Sequence, residues 1–335
     1  MRVEAASWRG KAVFFRVIGP WSKPERMQAV QPDAFDRALI PVLLALSVLA
    51  ALLAWRNFRA GRGDIRGGSR LAAFVFGVEL LEWLCIAHHV STIDEVDLLV
   101  GGVSWAGFSA GFVWMLYLAL EPYVRRRWPY SMVTWSRLLG GGFRDPLVGG
   151  HLLAGVALGI ALSLCASLGD LTLERFGPIH IVIRMSSLLG ARRMAGLLLS
   201  SLISAIMIGL VLILLFFLLR VLLRRQWLAA AAFALLFTGI GILQFGSHLV
   251  TGALIEALTV LFLIAGMLRF GVLSIVLAAF TAQLLASYPL TTDFSAWYAG
   301  GIVLVVAILL ALTAYAFHTA VAGRPLFQAG FLEPD

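Results

Sequence analysis

LLLSSLISAIMIGLVLILLFFLL, residues 197–219, decides the class of this chain. It carries no charge over a length that crosses a hydrocarbon core of about 30 Å as a helix. It does not alternate apolar and polar positions, as the roughly ten-residue strand of a membrane barrel must. Hydrocarbon offers backbone N–H and C=O groups no partners, so such a segment satisfies its own, and a helix is the way to do that. Working outward, similar apolar runs occupy residues 38–55, 71–89, 98–120, 148–168, 195–219, 226–245, 249–267, 270–287 and 297–319. The sequence therefore predicts an all-α fold, a polytopic transmembrane helical bundle of about nine spans. Eight is the alternative, because runs six to eight are joined by very short turns and the seventh contains Glu256.

Composition agrees. The chain has 335 residues, of which 61% are hydrophobic and 13% charged, and its mean hydropathy is +0.93. A water-soluble domain needs more polar surface than that. The net charge of +8 does not indicate nucleic acid. No nucleic-acid-binding motif accompanies it, and much of the arginine lies just beside apolar runs, where it suits a membrane surface. Cys85 and Cys165 lie inside apolar runs and are expected to be small buried hydrophobes rather than a disulfide or a metal site.

Three regions follow. Residues 1–37 form a polar, extracytoplasmic tail with one expected β-strand, Lys11–Ile18, stopped by Gly19 and Pro20. A lone strand is not stable, so the tail is expected to be disordered or the remnant of an ectodomain. Its apolar stretch Ala12–Phe15 is too short for a cleavable signal. Residues 38–320 form the transmembrane domain, and 321–335 a cytoplasmic tail. Within the domain, 121–147 is expected to be an interfacial loop with a short amphipathic helix after Pro129, and with Trp128, Tyr130 and Trp135 as belt residues. Ile179–Ile183 suggests a short strand or re-entrant piece. Small residues at Ala154, Gly155, Ala157, Gly159 and Ala161 suit close helix packing.

Arginine sets the orientation. With nine spans, Arg56, Arg59, Arg62, Arg66 and Arg70, then Arg125, Arg126, Arg127, Arg137 and Arg144, then Arg220, Arg224 and Arg225, and finally Arg269 all fall on one side. That side is expected to be cytoplasmic, with the N-terminus outside and the C-terminus inside. Arg56, Arg59, Arg125, Arg126 and Arg127 are the expected partners of anionic lipid headgroups. The tail and the 169–194 loop, with seven and four basic residues, are exceptions that longer translocated stretches tolerate.

Polar residues inside apolar runs are costly and mark candidate sites. Glu79, Glu82 and His89 share one face of a continuous helix, with Cys85 and His88 nearby. This group suits a metal or a proton relay, or else lies wet at the outer boundary, or pairs with another span. His88 and His89 with Asp94, Glu95 and Asp97 make an acidic rim typical of a solvated loop. Glu256 is the deepest acid of the second half, read as an interhelical hydrogen bond, alongside Gln244, His248 and Gln283. HExxH, GxSxG, GxGxxG and Walker A sequences are absent. No catalytic residue, cofactor or metal is expected.

Several stretches together resemble one family: RNFRAGRGDIRGGSRLA at 56–72, EPYVRRRWPYSMVTWSRLLGGGFRDPLVG at 121–149, LRFGVLSIVLAAF at 268–280, YPLTTDFSAWYAGG at 288–301 and AGRPLF at 322–327. They look like the C-terminal multi-pass membrane region of bacterial, acidobacterial-type, membrane-bound serine/threonine protein kinases. GKAVFFRVIGPWSKPERMQ at 10–28 is similar to the end of the extracytoplasmic segment that precedes it. The resemblance covers nearly the whole chain and its motifs are structural. It implies a bacterial inner-membrane location with the N-terminus outside. The kinase domain itself is absent, with no glycine-rich ATP loop, VAIK, HRD or DFG.

Three readings follow. The first is a membrane module that anchors or senses for a cytoplasmic kinase or signalling partner, without catalysis of its own. The second is a transporter or channel whose path is lined by Glu79, Glu82 and Glu256. The third is an intramembrane metal-dependent enzyme built on the Glu and His residues of the second span.

Overall fold

The computed structural model describes residues 2–8, 10–19, 34–174, 185–245, 249–296 and 298–321. Among them the fold is all-α apart from one hairpin. The strand expected at Lys11–Ile18 is present as β2, but it is not alone. It pairs antiparallel with β1, Arg2–Trp8, from Arg2 opposite Ile18 to Trp8 opposite Lys11, with an irregularity at Ala6/Ser7. Gly10, at φ +76°, makes the tight turn. The expectation of one orphan strand is thus corrected. RVEAASW, with few β-branched residues, gives little strand signal by itself.

The helices are α1 (Ala34–Arg59), α2 (Ile65–Ile86), α3 (Asp94–Arg127), α4 (Tyr130–Leu139), α5 (Pro146–Glu174), α6 (Ala191–Leu223), α7 (Gln226–Gly241), α8 (Leu249–Phe270), α9 (Val272–Ser287) and α10 (Gly300–Val321). Each expected span falls on one of these helices. Six, namely α1, α3, α5, α6, α8 and α10, are long and apolar enough to cross a membrane. Helix α2 carries Arg66, Arg70, Glu79 and Glu82, and α7 and α9 are short apolar helices of 16 residues each. Ile179–Ile183 lies outside the described residues, as do 322–335.

Helix α9 is the middle of the bundle. Its residues Val272–Ala278 are all buried, as are Phe280, Thr281 and Leu284. Small residues on α5 permit this. A Cβ at Gly155 would sit 2.9 Å from the Ser274 carbonyl oxygen, and one at Gly159 would sit 2.6 Å from that of Ala278. Gly155 and Gly159 are one helical turn apart, so α9 runs along them as a ridge in a groove. The Ser274 hydroxyl also donates to the His151 carbonyl at 2.8 Å.

Contacts sort the connections into two ends. At one end, the α1–α2 turn meets α3 where the Asp64 N–H donates to Glu121, and Arg70 donates to the Leu139 carbonyl of α4. The α8–α9 turn at Gly271 rests on Ser131 of α4, Arg220 of α6 lies over the Trp128 ring, and Tyr315 of α10 donates to the Phe143 carbonyl. At the other end, Gly196 near the start of α6 abuts Cys85 and Ile86, Arg192 donates to the Ala87 carbonyl, and Tyr288 donates to the Met194 carbonyl. All the loop arginines assigned above to the cytoplasmic side connect elements at the first end.

The 121–147 stretch holds the helix expected after Pro129, but α4 is a packed element. Ser131, Met132, Thr134 and Trp135 are buried against neighbouring helices. Trp135, expected as a belt residue, is 3% exposed, whereas Tyr130 is 82% exposed. The sequence cues of an aromatic beside arginine cannot separate these two placements.

Candidate functional site

The most elaborate polar structure lies at the arginine-bearing end, and it begins with a backbone defect. Pro122 lies inside α3. It has no N–H, so the Leu118 carbonyl four residues earlier loses its helical donor. The side chain of Asn57, at the end of α1, donates to that carbonyl at 2.9 Å and is itself buried. The chain then turns through Gly61 and Gly63, at φ +61° and +122°. These positions favour glycine. Asp64 caps α2 by accepting from Gly67 N–H at 2.9 Å, and its own N–H donates to Glu121 Oε2 at 3.2 Å. Tyr117 donates to Asp64 at 3.4 Å, and Arg125 donates to Glu121 at the same distance. Gly67 and Gly68 leave room for the Tyr117 and Trp114 rings.

Glu121 is 4% exposed, a buried carboxylate held by a backbone N–H and a guanidinium. Beside it is a cavity of about 520 Å³ lined by Asp64, Glu121, Arg125, Pro129, Met132, Val133, Ser136 and Arg137. Arg137 pairs with Asp145 at 2.6 Å. Partial burial opposes ionisation of Asp145, but the Leu147 N–H and the Arg137 guanidinium outweigh it and hold this carboxyl below its usual range. Around the corner, Arg56, Arg59, Arg125 and Arg126 are exposed, with Arg59 over the Trp55 ring at 4.4 Å. The side chain of Arg127 lies outside the described residues.

The opposite end holds part of the group expected in the second span. Glu79 is buried and Glu82 half-buried, within hydrogen-bonding reach of each other and, for Glu82, of Ser200 on α6. They line a cavity of about 410 Å³ with Trp83, His88, Asp97, Gly102 and Trp105 among its other walls. His89 does not join them, which corrects the expected shared face. Helix α2 ends at Ile86, and beyond it helical periodicity no longer applies. His89 instead meets Glu95 at 2.6 Å and the Leu84 carbonyl at 3.2 Å, with its ring edge-on to Trp83. The Glu95 and Leu84 acceptors raise the His89 pKa above its ordinary value. Glu95 also accepts from Val90 N–H, so this turn is tied rather than loose.

Glu256 is elsewhere. It lies half-buried on α8 against Gly241 of α7, and does not line the Glu79–Glu82 cavity. His248 and the side chain of Gln244 lie outside the described residues. Among the described residues no three His, Cys, Asp or Glu side chains come close enough together to hold a metal ion. Sequence reading missed Asn57, Asp64, Tyr117 and Glu121 as a unit. The one available signal was Pro122, which requires a donor for Leu118 from outside its own helix.

Compared with known proteins, the chain matches no family model, no curated protein and no solved structure.

Proposed function

We propose that the chain is an integral membrane module that anchors, or senses for, a cytoplasmic serine/threonine-kinase-type signalling partner, and has no catalysis of its own. In this reading nine helices cross a bacterial inner membrane, with the N-terminus outside and the arginine-bearing end in the cytoplasm. The observation that carries it is the meeting of two distant stretches, 56–72 and 121–149. These are the longest segments of the resemblance within the membrane region, and they build a single polar corner around a cavity on the arginine-bearing face. Burying Glu121 is costly unless its partners stay in place. The corner is therefore a two-sided joint: a partner that competes for Arg125 or Asp64 changes the packing of α1, α2 and α3 together. A switch of this kind requires affinity to differ between two arrangements.

The test is purification of the full chain from native membranes, followed by an assay for serine/threonine phosphoryl transfer by co-purifying protein. Kinase activity that co-purifies with the native chain and falls with Asp64→Asn or Glu121→Gln is expected. Its absence, or its indifference to both variants, rejects the reading. The transporter alternative draws on the cavity that brings Glu79, Glu82, His88 and Asp97 together. Glu256 stands apart from it. Flux in proteoliposomes that disappears in Glu79→Gln would put that reading first.

A further inference from the structure

A third cavity, of about 410 Å³, lies among α2, α4, α5, α6, α9 and α10. Its walls are Leu, Ile, Val and Phe side chains, among them Phe74, Leu202, Leu277 and Phe280, with a single exception, Trp135. Trp135 is buried, and among the described residues its indole N–H finds no acceptor. A buried donor without an acceptor is costly and uncommon. Water is a poor remedy, because an ordered water needs about two to four polar partners and no other side chain lining this cavity carries one. The wall carbonyls nearest the arginine-bearing end are already used: Leu139 O accepts from Arg70, and Phe143 O from Tyr315. The missing acceptor therefore belongs to something that enters. The volume falls in the usual range of ligand pockets, about 300–1,000 Å³.

Two features define the visitor. Its body must be hydrocarbon with an oxygen acceptor, to match a greasy cavity with a single N–H. Its charge must be negative, because the Leu138–Phe143 edge of the cavity is flanked by the exposed Arg70 and Arg144, while Arg137 is already paired with Asp145. Arg70 touches the wall residue Leu139 directly. We propose that this cavity holds one acyl chain of a single anionic phospholipid, whose ester carbonyl accepts from the Trp135 N–H and whose phosphate lies beside Arg70. This depends on the chain residing in a bilayer, and not on any kinase partner. Loss of the partner assay and loss of lipid retention are separate results.

The experiment is native mass spectrometry of the full chain released from nanodiscs of phosphatidylcholine and phosphatidylglycerol, with phosphatidylglycerol brominated on its acyl chains as a fluorescence quencher in parallel. One phosphatidylglycerol retained per chain is expected. Trp135→Phe keeps an aromatic ring and removes the donor, and should weaken retention about fivefold while lowering the quenched part of the tryptophan signal, the rest coming from exposed residues such as Trp55, Trp105 and Trp227. Arg70→Gln should reduce the preference for phosphatidylglycerol over phosphatidylcholine. Leu277→Phe and Leu202→Phe fill the cavity from different walls and should abolish retention. Circular dichroism identifies which of the two keeps the native fold, and that variant decides. Retention unchanged in Trp135→Phe overturns the proposal. So does retention unchanged in a folded cavity-filling variant, retention of a free fatty acid or a neutral isoprenoid instead, or no retained lipid at all.

Discussion

The two ends of the bundle handle buried charge in opposite ways. At the arginine-bearing end every member of the corner has a named partner: Asn57 serves Leu118, Asp64 serves Gly67, and Glu121 receives both Asp64 N–H and Arg125. At the far end Glu79 and Glu82 face a cavity and each other, with Ser200 the one neutral partner of Glu82. The first arrangement is a rigid joint, since each group fixes the next. The second is an adaptable pocket, since little holds its acids in one geometry. Glu79 and Glu121, equally buried, thus do different work according to whether their partners are backbone or another acid.

The strongest way to break this contrast is a pair of glycine substitutions. Gly271 has φ +77°, and a Cβ there would collide with the backbone of Ser131 on α4. Gly271→Ala is expected to cost about 3 kcal/mol, read as a loss of thermal stability in detergent. Gly102 is also crowded, its Cβ falling 2.6 Å from the Trp83 ring. That neighbour is a side chain at a cavity wall and can turn away, so Gly102→Ala should cost only about 1 kcal/mol. Equal losses would erase the distinction between a rigid and an adaptable end.

Next comes the helix defect. Asn57→Ala leaves the Leu118 carbonyl unserved and should cost about 2 kcal/mol. Adding Pro122→Ala restores an N–H within α3, so the double variant should recover much of that loss. Additive losses in this cycle would show that Asn57 is not there for Pro122. A smaller effect separates the two acids. Glu121→Gln weakens a charge-assisted corner and should cost about 1 kcal/mol. Glu79→Gln gives up one of two crowded carboxyls and should change stability by less than about 0.5 kcal/mol in either direction.

The smallest effect is a titration. The pKa of His89 is raised by Glu95 and Leu84, so the protonated ring is favoured by folding. The contribution of this tie is complete below the unfolded value of about 6.5 and is lost as pH rises through the higher folded value. NMR of the ring should show a titration midpoint above about 6.5 that falls back towards it in Glu95→Gln. An unchanged midpoint would mean that the turn between α2 and α3 is not closed by this pair.

Much of the fold was legible because hydrocarbon imposes a simple code. A run such as 197–219 has one solution, and α6 covers it whole. The close packing of α5 was readable from Gly155 and Gly159, which lie against α9 as their spacing suggests. The site was far less legible. Asn57 and Leu118 are 61 positions apart, and no periodicity connects them. Asp64 and Glu121 read as loop and boundary charges until the turn is folded onto α3. His89 was misplaced because a face argument presumes that the helix continues, and α2 stops three residues short of it. Trp135 shows the converse error: its neighbours in sequence suggest an interface, while its neighbours in space are apolar side chains.

Helix α9 has a geometric consequence for the whole molecule. Its 16 residues span about 24 Å, less than the roughly 30 Å of a typical hydrocarbon core, while α6 beside it runs for 33 residues. A short axle among longer spokes leaves a recess, and α4 sits in that recess like a cork, with Ser131 against Gly271. In the nine-span reading, the apolar path along α9 is only as long as α9 plus what α4 adds where Ser131 meets Gly271.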